Sequence, residues 1–199
     1  YGSSKGTYII EGNTIKITQK TDYPWDGRIR ITLESDTGKL PELRLRIPGW
    51  CSSFKIDPEA AYDIRNGYAV IPAEGLINGE LVLELEMPPL IVRSHPSVRY
   101  NAGKAAVTRG PLVYCIEETD NGVPLSGITL DGAKPLSPEQ SDLFGGITVI
   151  RGEAISRETG YLYSPDAGTG SRQKVTLVPY HLWGNRGAGE MAVWIPVTD

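Results

Sequence analysis

Histidine and cysteine are scarce in this chain, with two of each. His95, His181, Cys51 and Cys115 each stand alone in their neighbourhoods. Zinc requires three or four ligands at workable spacing, so no locally encoded metal site is present, and the two thiols are expected to be buried and unpaired. No Gly-x-Ser-x-Gly elbow marks a nucleophile, and two histidines leave few general bases. Gly168-Thr169-Gly170 lacks the third glycine of a dinucleotide loop, and nothing resembles a Walker loop; that stretch reads as a surface loop. No apolar run is long enough to cross a bilayer, and no secretory core opens the chain. Runs of one charge are also missing. The 20 basic and 24 acidic residues leave a net charge of −4, without the basic stripe that neutralises phosphates. Arg44 and Arg46 share one strand face with acidic residues nearby and read as solvated surface. Together these absences point away from nucleic-acid and membrane partners, and away from a cofactor held by this chain. They do not assign a compartment: cytoplasmic and extracytoplasmic locations both stay open.

What is present is alternation. Ile29, Ile31 and Leu33 alternate with Arg28, Arg30, Thr32 and Glu34; Leu43, Leu45 and Ile47 alternate with Arg44 and Arg46. Leu81, Leu83, Leu85 and Met87 alternate with Val82, Glu84 and Glu86. Period two places one face of each strand in a core and the other in water, as in antiparallel sheets. Turn signals separate the runs. Asn66-Gly67 lies between Tyr62–Arg65 and Tyr68–Ile71, and both positions tolerate the positive φ of a tight hairpin. Glu11-Gly12-Asn13 does the same between Tyr8–Ile10 and Thr14–Thr18. With 23 glycines and 15 prolines, long helices are interrupted. Ser137-Pro138-Glu139-Gln140 carries a cap, a proline suited to the first helical position and a glutamine able to complete a capping box, which predicts one or two helical turns.

The 199 residues fit one large β domain or two small ones. At that length a chain buries roughly 70% of its unfolded surface, and 40% hydrophobic content is enough for a core. Met87-Pro88-Pro89 marks a break between two sandwich-type units. Strand patterning resumes at Lys104–Thr108 and Leu112–Glu117. Asn121 to Gly146 reads as a long irregular excursion, and strands return at Ile147–Ile150, Lys174–Pro179 and Glu190–Ile195.

Glycosidic hydrolysis ordinarily uses two carboxylates. Asp22 and Asp26 flank Tyr23-Pro24-Trp25, and their simplest use is in a rigid turn, where Asp caps backbone N–H groups and Pro fixes φ. Trp25, Trp50, Trp183 and Trp194 are candidates either for sugar-stacking platforms or for core and interface positions. Alternation over Met191–Ile195 places Trp194 on a strand, where burial is expected.

Several blocks in order go further. They are Thr21-Asp22-Tyr23-Pro24-Trp25-Asp26-Gly27, Leu43-Arg44-Leu45-Arg46-Ile47-Pro48-Gly49-Trp50 and Arg65-Asn66-Gly67-Tyr68-Ala69-Val70-Ile71. Arg109-Gly110-Pro111-Leu112-Val113-Tyr114 follows, then Asn185-Arg186-Gly187 ahead of Glu190-Met191-Ala192-Val193-Trp194-Ile195. The set resembles the C-terminal half of glycoside hydrolase family 127, the β-L-arabinofuranosidase-like family. The resemblance implies an all-β region of two antiparallel, jelly-roll-like β-sandwiches after a helical barrel. The first sandwich is expected over residues 1–92 and 187–199, completed by the C-terminal strand. The second, over 93–186, is inserted before that strand. The start at Tyr1 fits an absent upstream segment. In the family the nucleophile is sought in a zinc-bound cysteine near a cysteine pair and a glutamate of the barrel. This sequence has no cysteine pair, so neither Cys51 nor Cys115 inherits a catalytic or metal role, and any zinc is expected in the barrel. The region is expected to be non-catalytic and to pack against the barrel. Trp25, Trp50, Tyr180, His181 and Trp183 are candidates for that contact or for an oligosaccharide; exposed aromatics would instead suit a carbohydrate-binding module.

Overall fold

The computed structural model describes residues 1–76, 79–122, 124–158, 162–165 and 169–198; Gly168 of the expected surface loop lies outside them. The chain divides into two units, Tyr1–Met87 and Pro88–Asp199.

The first unit contains β1 (Ser4–Ile10), β2 (Asn13–Thr21), β3 (Arg28–Ser35), β4 (Leu43–Arg46), β5 (Phe54–Asp57), β6 (Asp63–Arg65), β7 (Tyr68–Ile71) and β8 (Gly79–Leu85). They form a five-stranded sheet, β1-β2-β3-β8-β5, and a three-stranded sheet, β4-β7-β6, with every pairing antiparallel. Register follows the alternation. Ile29 sits opposite Leu83 and Ile31 opposite Leu81, while Leu43 faces Ile71 and Leu45 faces Ala69. The inward residues of both sheets share one core, including Ile15, Ile29, Leu33, Leu45, Ile71 and Leu83. Burying such side chains is worth roughly 1.5–3 kcal/mol each, and slipping one strand by a residue would turn its apolar set into water. Asn66 and Gly67 close the β6–β7 hairpin with φ of 50° and 78°. Gly27 answers a different need: a Cβ there would lie 1.9 Å from the Leu85 carbonyl oxygen, because the Leu85 N–H donates to the Gly27 carbonyl at 2.9 Å.

The second unit contains β9 (Pro89–Arg93), β10 (Lys104–Arg109), β11 (Leu112–Glu117), the one-turn helix α1 (Glu118–Asn121), β12 (Ile128–Leu130), β13 (Ser137–Ser141), β14 (Ile147–Glu158), β15 (Thr169–Pro179), β16 (Met191–Ala192) and β17 (Ile195–Pro196). Its sheet runs β12-β14-β15-β11-β10-β17, with β13 on β14, β16 on β11 and β9 on β10. Leu130 bridges Val197 just beyond β17, so the two ends of that path meet. The sheet wraps one core containing Val107, Tyr114, Ile116, Ile150, Leu177 and Ile195. The all-β, antiparallel class read from the sequence is the observed one.

Five local expectations are corrected. The C-terminal strand does not return to the first sandwich: Ala105 of β10 pairs with Ile195 and Ile116 of β11 with Ala192. Ile195 is buried in the second core, which supplies both its ladder and its apolar contacts. Ser137–Ser141 is a strand, not a helix. Capping chemistry is a local preference, and β14 offers a full ladder, with Pro138 opposite Ile150 and Glu139 opposite Val149; β13 lies at an edge, where proline is tolerated. The stretch from Asn121 to Gly146 is accordingly not irregular throughout, since it holds β12 and β13. Trp194 occupies a bend between β16 and β17 and is half-buried. Cys51 is also only half-buried, whereas Cys115 is fully buried; both are free thiols.

Candidate functional site

In the first unit the segment Thr21–Gly27 is the rigid turn its residues suggest. The Trp25 N–H donates to the Asp22 carbonyl at 2.8 Å, and the Arg28 N–H donates to Asp26 Oδ1 at 2.8 Å. The Thr21 hydroxyl donates to the Arg28 carbonyl and accepts from the Tyr23 N–H. The Asp26 carboxylate thereby caps the turn. Tyr23 stacks on Trp50 with ring centroids 6.4 Å apart, and Tyr1 meets Tyr23 edge-on at 6.1 Å. The Tyr1 hydroxyl donates to the Arg46 carbonyl at 2.7 Å. Burial pushes its pKa up to about 12. All three rings lean on the first core, which makes Trp50 a half-buried wall, and Trp25 is half-buried as well. Elsewhere in this unit a recess of about 230 Å³ is lined by Tyr8, Ile10, Ile17, Leu40, Pro41 and Leu76. Its β1 rim is apolar and wet, with Ile9, on the other face of β1, 78% exposed.

In the second unit Tyr180, His181 and Trp183 do come together. Tyr180–Leu182 forms a 3-10 turn and Trp183 follows at its C-terminal cap. All three are exposed, and Trp183 keeps 44% of its surface in water. The chain leaving Trp183 is tied down by a polar cluster. The Gly184 N–H donates to Glu117 Oε1 at 2.9 Å. Arg186 donates to Asp120 Oδ1 at 2.8 Å and also to Glu117 Oε2, while its guanidinium lies 5.9 Å from the Phe144 ring centre. Hydrogen bonds to Asp120 and then Glu117 hold the Arg186 pKa above its ordinary value despite desolvation. The side chains of Arg186, Glu117 and Asp120 are only 16%, 7% and 16% exposed. Farther along, the Glu190 N–H donates to Glu118 Oε2 and the Leu125 N–H to Glu190 Oε2, both at 2.9 Å. These ties shape an open groove of about 590 Å³ between Trp183, Thr119 and the Gly187–Glu190 stretch, with Glu117 at its base.

Both thiols donate to backbone carbonyls. Cys115 donates to the Val178 carbonyl at 3.7 Å, and burial, reinforced by the charge of Glu117, pushes its pKa up to about 12. Cys51 donates to the Ser53 carbonyl at 3.0 Å, and desolvation raises its pKa too. Reactive or metal-bound cysteines need the opposite shift. Among the described residues no three His, Cys, Asp or Glu side chains group as a metal site, and the Glu117 and Asp120 carboxylates are bridged by a guanidinium instead. The described residues therefore do not fit zinc.

The Glu117–Arg186–Asp120 cluster is not legible as a site in the sequence, because its partners are 66 and 69 residues apart. The one signal is the block Asn185-Arg186-Gly187, whose role no local pattern gives.

Comparison with known proteins places the geometry in context. The family model described as the glycoside hydrolase family 127 C-terminal domain matches residues 89–196. The model for the β-L-arabinofuranosidase middle domain of the same family matches residues 1–87. A non-reducing end β-L-arabinofuranosidase of Bifidobacterium longum is 32% identical over 90% of this chain, which spans 30% of that protein's length. The solved structure of a family 127 β-L-arabinofuranosidase from Geobacillus stearothermophilus T6 is 37% identical with a TM-score of 0.89, over 98% of this chain and 32% of that one. A second structure, of a family 127 β-arabinofuranosidase, is 26% identical with a TM-score of 0.80, over 98% of this chain and 34% of that one. With one model ending at residue 87 and the next beginning at 89, on either side of the division between the two units, the chain belongs to glycoside hydrolase family 127, as its middle and C-terminal domains.

Proposed function

We propose that this chain is the non-catalytic β region of a β-L-arabinofuranosidase-type enzyme, and that it braces a separate helical catalytic domain that carries any zinc. The observation that supports this most is the state of the thiols. The reaction class implied by the family resemblance calls for an ionisable cysteine, and burial holds the Cys115 thiol protonated. The chain also spans about a third of its relatives, which leaves the larger part of such an enzyme to supply the chemistry. The apolar recess beneath β1, rimmed by Tyr8 and Ile10, suits a contact with that larger part, since wet apolar patches on a folded unit mark interaction surfaces.

The test is to assay the chain on aryl β-L-arabinofuranosides and to measure its zinc content. No turnover and no stoichiometric metal are expected. Turnover of any kind by the purified chain, or one tightly held zinc per chain, would each overturn the reading.

A further inference from the structure

We propose that the groove beside Trp183 is a binding subsite for a neutral saccharide, a reading independent of the bracing role above. The proposal starts from the tryptophans. Trp25, Trp50 and Trp194 are half-buried, whereas Trp183 is exposed at 44% on the wall of a groove. An indole left in water beside a concave surface offers a flat apolar face, and the C–H face of a sugar ring covers such a face while its hydroxyls remain free for polar partners.

Those partners are present. Thr119 offers a hydroxyl, Glu190 a carboxylate, and Gly187-Ala188-Gly189 a wall of backbone with almost no side chain in the way. No lysine or arginine is among the residues lining the groove. The nearby Arg186 is committed to Glu117 and Asp120. Phosphates, uronic acids and nucleic acids would therefore meet acceptors and negative charge, while the hydroxyls of a neutral sugar meet groups that accept their protons. About 590 Å³ falls within the roughly 300–1,000 Å³ of small-molecule sites, enough for one or two sugar rings.

The groove is also preorganised. Gly184 is tied to Glu117, Glu190 to Glu118, and Leu125 to Glu190. A buried ion-pair cluster contributes little net stability compared with apolar packing, but it fixes the loop on which the platform stands, so that little ordering is left for the ligand to drive. Membership of a carbohydrate-active family agrees with the ligand class without being its source.

The experiment titrates the chain with methyl β-L-arabinofuranoside, with neutral arabino-oligosaccharides and with galacturonic acid, by saturation-transfer NMR and calorimetry. Saturable binding of a neutral sugar at millimolar concentrations is expected, with the acid weaker. Trp183→Ala should weaken binding by about tenfold, the upper end of what one aromatic face supplies. Trp183→Phe should restore most of it, and this second variant separates lost stacking from lost folding. No saturable binding by the wild-type chain, equal binding by Trp183→Ala, or a preference for galacturonic acid would each overturn the proposal. None of these results bears on turnover or zinc content, so failure here is distinguishable from failure of the bracing role.

Discussion

The two units hold their strands together with different materials. In the first, the core is aliphatic and charge stays outside. Arg28–Glu84 and Arg30–Glu80 pair across β3 and β8 with roughly half of each side chain exposed. In the second, a tyrosine, a cysteine and a glutamate are buried in one strand, and the Glu117–Arg186–Asp120 cluster lies inside. The lesson concerns periodicity. Where one face of a strand stays polar, as in β3, side chains alternate in and out and the strand announces itself. Where both faces of a strand are covered, consecutive residues are buried, as in Ala69-Val70-Ile71 of the first unit and in Tyr114-Cys115-Ile116-Glu117 and Ile147-Thr148-Val149-Ile150 of the second. Such strands read as apolar runs instead.

The comparison can be broken most sharply at Arg186. Arg186→Met leaves two carboxylates without their cation, and should destabilise the second unit by about 3–5 kcal/mol while amide exchange in the first is unchanged. Loss of protection in both units would show that the cluster is not confined to the second. The counterpart in the first unit is Leu83→Ala, a cavity at a fully buried position expected to cost about 3 kcal/mol in urea unfolding.

Tyr114→Phe probes the polar side of the second core more gently. The Tyr114 hydroxyl donates to the Thr148 carbonyl at 3.0 Å, and leaving that buried acceptor unpaired should cost about 1–2 kcal/mol by the same measurement. A pH series sharpens the contrast further. The raised pKa of Cys115 means that folding favours the protonated thiol. Its contribution is complete below the unfolded thiol's ordinary value, about 8.5, and is lost as pH rises toward about 12. Cys115→Ala should therefore flatten the alkaline loss of stability, and a thiol reagent should label Cys51 in the folded chain but Cys115 only after unfolding. The smallest effect is expected at the surface of the first unit, where Arg30→Met should change stability by less than about 1 kcal/mol.

The same contrast explains which parts of the molecule were legible. The alternation over Ile29–Leu33 and Leu81–Met87 and the Asn66-Gly67 turn are local patterns, and the structure follows them except at Val82, which is buried where alternation placed it in water. Ser137-Pro138-Glu139-Gln140 carries an equally local signal for a helix, yet β14 outcompetes it, because a ladder of backbone hydrogen bonds outweighs one capping preference. Of the candidate site residues, Tyr180, His181 and Trp183 are adjacent in sequence and stay adjacent in the fold. The side chains that fix the loop beyond Trp183 come from elsewhere along the chain.

The sequence by itself determined the antiparallel β class, the strands of the first unit other than β5, and the family, since each rests on residues close together or on blocks in a fixed order. Only the tertiary structure decided that Val197 closes the second sheet against Leu130, and that Arg186 lies between Glu117 and Asp120. It also decided that Trp183, unlike the other tryptophans, stays in water on a groove wall. Those outcomes depend on contacts between distant segments, whose partners are chosen by which surfaces the packed strands leave facing one another.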